Sequence, residues 1–251
     1  MMILNKHNKN SPPPFRLASF FWILSSALCA IYFFGALARS GVAFDVLESL
    51  PKTFVIYWKA VCELLLVFVA WMVAESRTSR VLALAVTIIF VADMFLALGA
   101  VSMAGFIFVI AHLISVYAYL KSPSSSPANS TINAAIKWLS IIPISLVIFL
   151  IVWSLSKSTF QLIALYPAFS ALVAYSALRS SYPIAMTGIG TVLFWISDCV
   201  FVVTVLVTGD ATSVGWLVWL TFSSGLLLIV LGLMTKSRRE LHELRSSKLA
   251  I

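Results

Sequence analysis

The sequence predicts an all-α membrane protein, a polytopic bundle of about eight transmembrane helices, and three observations carry that expectation. Hydrophobic residues make up 61% of the 251 positions and charged ones only 10%, with a mean hydropathy of +1.04. A soluble domain typically has about 25% charged residues. Apolar runs near the roughly 20 residues needed to cross a bilayer recur from end to end, separated by short polar connectors. These runs are continuous rather than alternating, which excludes a membrane barrel. One membrane domain accounts for residues 1–251, with no separate soluble domain.

In chain order, the expected spans are 17–37, 53–74, 79–99, 102–120, 133–154, 159–177, 183–207 and 213–234, followed by a basic tail at 235–251. The first has the basic leader Lys6, Lys9 and Arg16 and is followed by Ala36-Leu37-Ala38, features shared with cleaved signal peptides. Its apolar stretch exceeds the usual roughly 7–15 residue signal core, so it is expected to remain as a helix. A connector from Arg39 to Lys52 carries Asp45 and Glu48 among apolar residues and suits a short segment lying along the membrane surface. The Ser- and Pro-rich stretch 122–130 divides the chain into halves of four spans and reads as a flexible loop. No internal repeat of the kind common in secondary transporters is visible. The last segment, Lys236 to Arg245, reads as a helical extension that forms a solvated tail.

Orientation follows from the basic residues. With the N-terminus inside, thirteen Lys and Arg fall on inner segments, against Arg39, Lys52 and Lys157 outside. Both termini are therefore expected in the cytoplasm. Positive charge on cytoplasmic edges meets anionic headgroups, which explains the basic pI of about 9.6 without a nucleic-acid partner. Cys29, Cys62 and Cys199 all fall within spans, without paired or metal-type spacing, and behave as small apolar residues.

An ionisable side chain inside a membrane helix costs a few kcal/mol, which makes each one a functional candidate. There are five: Lys59 and Glu63 in the second span, Asp93 in the third, His112 in the fourth and Asp198 in the seventh. At about 1.5 Å per residue, Lys59 and Asp93 lie roughly 9 Å below the outer ends of their spans, Asp198 roughly 13 Å, and Glu63 and His112 roughly 15 Å. All five share one slab in the outer half of the membrane and come from four different helices, as in a buried bundle site.

Lys59 and Glu63, spaced i,i+4, either neutralise one another or face the site. His112 lies on a stripe with Gly105, Phe108, Ser115 and Tyr119, where it is either an interhelical hydrogen-bonding group or part of the site. Asp198 shares a face with Thr187, Thr191, Phe194 and Phe201 and follows Ser197. Asp93 has almost nothing polar near it in its own helix and requires a partner from another. Cys199 points about 100° away from Asp198 and does not share its face. One membrane histidine excludes a three-histidine zinc centre, and no metal or cofactor is expected.

The order of these residues is recognisable. Lys59, Asp93, the stretch Gly105-Phe106-Ile107-Phe108-Val109-Ile110-Ala111-His112 and the stretch Phe194-Trp195-Ile196-Ser197-Asp198 resemble, in that order and over most of the chain, the YhhN-type lysoplasmalogenase family of eight-helix membrane proteins. The chain departs from the family pattern at four places. Ala60 follows Lys59 where the family has Pro, and Ala92 precedes Asp93 where it has Gly. Ser115 stands where a Tyr is common, and Thr221-Phe222-Ser223-Ser224-Gly225 replaces a Tyr-Tyr-x-x-Gln-like run. This is the pattern of a divergent member.

The resemblance implies hydrolysis of the vinyl ether bond of a lysoplasmalogen, giving a fatty aldehyde and a glycerophospho-base. The partners are then a lysophospholipid substrate and membrane lipids. Such chemistry needs a neutral acid to protonate the β-carbon and an ionised base to assist water. Two neighbouring buried carboxyls push their proton affinities apart and can supply both. Asp93 and Asp198 are the expected catalytic pair, with Lys59, Glu63, His112 and Ser197 supporting or binding substrate. Two other readings stay open: a proton-coupled carrier of a small solute relaying protons through Asp93, His112 and Asp198, and a non-catalytic lipid-binding protein. Short connectors and the lack of a large soluble domain suggest a bacterial inner membrane.

Overall fold

The computed structural model describes residues 13–39, 52–123, 161–208 and 214–249. The expected span at 133–154, the interior of the connector between Arg39 and Lys52, and the loop beyond Pro123 lie outside these residues. Seven helices are described: α1 (Pro13–Arg39), α2 (Lys52–Val73), α3 (Arg77–Ala97), α4 (Val101–Leu120), α5 (Gln161–Arg179), α6 (Ile189–Thr208) and α7 (Gly215–Leu249). A single π-helical turn, Ile184–Gly188, leads into α6. Among the described residues the only β pairing is one bridge between Pro123 and Ser180. Six of the seven helices are long and apolar enough to cross a membrane. Among the described residues the fold is all-helical, and the chain is a multi-pass membrane protein.

Local chemistry sets the helix ends. Ser76 caps α3 by accepting a hydrogen bond from the Ser79 amide (3.3 Å), as a short hydroxyl side chain does at an N-cap. At the other end, Gly99 adopts φ +83°, where a side chain is strained. The Ala100 amide then donates to Phe95 O and the Gly99 amide to Leu96 O, closing the helix with the paired bonds of a left-handed cap. This reversal folds α3 and α4 into a tight hairpin.

The described helices form a ring. Each packs on the next in the chain, α1 closes on α7, and α7 also reaches α2 and α3, so it lies innermost. Close crossings hold α7 in place. A Cβ added at Gly225 would come within 2.7 Å of the Gly190 carbonyl oxygen, and a Cβ at Gly190 would meet the Gly225 carbonyl at the same distance. The Thr187 side chain occupies the place a Cβ at Gly232 would take. Small residues at helix contacts let backbones approach, which is how membrane helices gain packing without a hydrophobic driving force between them. Large side chains such as Phe20, Tyr57, Leu64 and Phe106 point outward, as suits lipid.

The bundle has two unlike ends. At one, α4 and α5 both finish, tied by the Ser181 amide donating to Ser122 O (2.6 Å), and the starts of α1 and α3 lie with them; Arg16, Arg77, Arg80, Lys121 and Arg179 collect here. The tail corrects an expectation. α7 continues unbroken through 35 residues, and its emerging part is not simply solvated. Lys236 and Ser237 are buried, Lys236 Nζ donates to Ser122 Oγ (2.9 Å) and sits 4.0 Å from the Tyr182 ring centroid, and Arg238 lies over Phe15. Only beyond Leu241 is the helix steadily exposed. The α3, α4 and α5 ends leave a polar seam here, and α7 fills it.

Candidate active site

The opposite end of the bundle contains a cavity of about 420 Å³. All seven described helices contribute to its wall: Tyr32 from α1, Lys59 from α2, Asp93 from α3, Gly105 and Phe108 from α4, Tyr166 from α5, Ser197 and Asp198 from α6, and Trp219 and Phe222 from α7. The wall is mostly apolar and aromatic, with a few convergent polar groups, as in small-molecule sites generally. The shared depth inferred for Lys59, Asp93 and Asp198 agrees with their meeting in this one space.

Lys59 and Asp93 form an ion pair across α2 and α3. The Lys59 ammonium also stands 5.1 Å from the Trp219 ring centroid and 5.9 Å from that of Phe222, faces that attract a cation. Tyr32 packs on Trp219 at 4.5 Å and completes this side of the wall. The i,i+4 pairing with Glu63 is not what forms. Glu63 lies one turn deeper, is 1% exposed, is not on the cavity wall, and neither of its carboxylate oxygens has a hydrogen-bond partner among the described residues. The long lysine stem reaches into the cavity and meets a carboxylate from the neighbouring helix that pairs with no other cation among the described residues. The short reach along its own helix loses to that cross-helix pair.

Asp198 makes up the second polar group. His112 approaches it from α4, Nε2 to Oδ2 at 3.4 Å, with both side chains buried. His112 is not itself on the cavity wall; it backs Asp198 from behind, its ring packed between Tyr166 (5.2 Å) and Phe194 (5.8 Å). Tyr166 and Ser170 of α5 also interact with the Asp198 carboxyl. Ser197 reaches the wall, but its hydroxyl donates to the Val218 carbonyl of α7 (2.9 Å), so it ties α6 to α7 beside the site.

Of the six residues singled out from the sequence, the structure places Lys59, Asp93, Ser197 and Asp198 on one cavity wall, His112 behind Asp198 and Glu63 off the wall, and most of the aromatic wall was not among them. Tyr166 stands next to Pro167 inside an apolar span, where a lone phenol reads as packing. Tyr32 and Trp219 carry no one-dimensional signal that separates them from the other aromatic residues, and Phe222 is marked only by its place in the stretch Thr221-Phe222-Ser223-Ser224-Gly225.

A ring of membrane helices around a cavity, with two aspartates and a lysine as its charged groups, defines a multi-pass membrane protein with a buried acidic site. The model of the YhhN family matches residues 54–233, more than two thirds of the chain, and the protein belongs to the YhhN family. The match takes in every cavity residue named above except Tyr32. No curated protein and no solved structure matches the chain.

Proposed function

We propose that this protein is an intramembrane lipid hydrolase of the lysoplasmalogenase type, cleaving a 1-alkenyl lysophospholipid to a fatty aldehyde and a glycerophospho-base. The observation that carries the reading is the presence of Asp93 and Asp198, from separate helices, on one largely apolar cavity in a YhhN-family chain. Its volume of about 420 Å³ lies within the roughly 300–1,000 Å³ of small-molecule sites.

The two carboxyls have different surroundings, and we assign their roles accordingly. Asp93, paired with the Lys59 ammonium, is the base. Asp198, set among His112, Tyr166 and Ser170, is the acid. Asp198 delivers its proton to the β-carbon of the vinyl ether, leaving an oxocarbenium ion. Water adds to that ion as Asp93 takes one of its protons, giving a hemiacetal. The hemiacetal hydroxyl then returns a proton to Asp198 while Asp93 protonates the departing glycerol oxygen. Aldehyde forms, and both carboxyls regain their starting states. The balance needs no cofactor.

With the basic end of the bundle in the cytoplasm, the cavity lies in the outer half of the membrane. A substrate entering from the bilayer keeps its chain in hydrocarbon while its headgroup stays near the outer surface. We place the protein in a bacterial inner membrane on the same grounds of size and connector length.

The test is fatty aldehyde release from a 1-alkenyl lysophospholipid by the purified protein in detergent, run beside Asp93→Asn and Asp198→Asn. Aldehyde from the parent and none from either variant supports the assignment. Wild-type turnover in either folded variant removes that residue from the reaction, and no aldehyde from the folded parent overturns the vinyl ether reading.

A further inference from the structure

The acid assigned above is held from two sides, and one of its holders has no role yet. Tyr166 is on the cavity wall and 7% exposed, and its side chain interacts with the Asp198 carboxyl. Its ring is confined on the other faces by Phe108 (5.3 Å between centroids) and His112 (5.2 Å) of α4. A phenol packed in this way cannot swing from the carboxyl without moving α4.

The other hydroxyls nearby are committed or set back. Ser197 donates to Val218 O (2.9 Å), and Ser170 donates to Pro167 O (3.1 Å) and is not on the cavity wall. Tyr166 is the hydroxyl that faces both the cavity and Asp198. A donor fixed in advance toward a charge that develops during reaction is worth more than one that must reorient, because no reorganisation is needed at the moment of proton transfer.

We infer that Tyr166 is the positioning residue for Asp198: its phenol donates a hydrogen bond to the carboxyl, fixes it toward the cavity opposite His112, and stabilises the carboxylate that forms as the proton leaves. The kinetic part of this inference rests on the hydrolase reading, whereas the contact itself does not. The bond acts on the proton-transfer step and not on substrate capture, so its loss lowers kcat and leaves KM in place.

Two measurements on the full-length protein in detergent test it. The first compares Tyr166→Phe with the parent in aldehyde release. The expected result is a kcat lower by about 10- to 100-fold, the size of one lost hydrogen bond to a charged group, with KM within about twofold. The second places 3-fluorotyrosine at position 166 and follows its fluorine resonance, which should move when Asp198→Asn is introduced and stay in place when Ser26→Ala, on distant α1, is introduced. Wild-type kcat in Tyr166→Phe, a parallel change in KM, or an unmoved resonance overturns the inference. If the parent releases no aldehyde, the hydrolase reading falls by itself and the resonance alone decides the contact; it decides likewise if Tyr166→Phe does not fold.

Discussion

Two lysines set into the helix packing, the half-buried Lys59 and the buried Lys236, mark the two ends of this bundle and have been put to opposite uses. Lys236 lies at the basic end, where Ser122 accepts its hydrogen bond, the Tyr182 ring lies beneath it, and Glu240 stands 3.6 Å away, one turn along its own helix. Every partner stabilises the helix end, and water is near. Lys59 lies at the cavity end, paired with a single carboxylate from another helix and facing open space between aromatic rings. A charge whose partners fill its surroundings is a fastening, and one whose surroundings include a cavity is available for chemistry.

The comparison can be tested most severely at the aspartates. Asp93→Asn and Asp198→Asn should each lower aldehyde release by about 10²–10⁴-fold, the usual contribution of general acid or base catalysis, while the protein keeps its chromatographic profile. Next comes Lys59→Met, which strands the Asp93 carboxylate in an apolar wall. A cost of about 3–5 kcal/mol is expected from thermal or denaturant unfolding in detergent. Adding Asp93→Leu to Lys59→Met should recover most of that loss, because the uncompensated charge is then gone. If the double variant is no more stable than Lys59→Met, the ion pair is not what the lysine contributes.

Packing at the α6–α7 crossing gives a smaller effect. Gly225→Ala forces a methyl toward the Gly190 carbonyl and should cost about 1–3 kcal/mol, seen as a lower Tm. Lys236→Met should cost about 1 kcal/mol, the scale of one hydrogen bond, with aldehyde release per folded molecule unchanged. A loss of activity there would make the basic end part of the site and collapse the contrast between the two lysines. The smallest change is expected for Glu63→Gln. With Lys59 paired to Asp93, replacing Glu63 by its neutral isostere breaks no ion pair and removes a buried carboxyl without a hydrogen-bond partner among the described residues, so stability should hold or rise slightly. A loss of several kcal/mol would restore Glu63 as the partner of Lys59.

Much of the bundle was legible because a membrane makes hydrophobic length a direct signal. The expected spans for α2, α3 and α4 each end within two residues of the helices found, since charges, Ser76 and Gly99 mark where apolar runs must stop. The far end of α7 was legible only in part: mixed charge at Lys236 to Arg245 reads as a solvated helix, and nothing in one dimension shows that Ser122 and Tyr182 leave a seam for Lys236. The site divides in the same way. Asp93, Asp198, Lys59 and His112 announced themselves because burying them is costly, and their depths brought them to one level. Who pairs with whom was not legible. The i,i+4 rule offers Glu63 to Lys59, and only the approach of α3 brings Asp93 there instead.

By itself, the sequence determined that this is an all-helical membrane protein with a few ionisable groups at one depth, because transfer free energy depends on composition and run length and needs no knowledge of neighbours. Only the tertiary structure decided that Lys59 serves Asp93, that Tyr166 and His112 hold Asp198 between them, and that Trp219 and Phe222 line the cavity. Those facts depend on which helix faces which and by what rotation. That choice is made by interhelical packing at residues such as Gly190, Gly225 and Thr187, whose effect exists only once the helices meet.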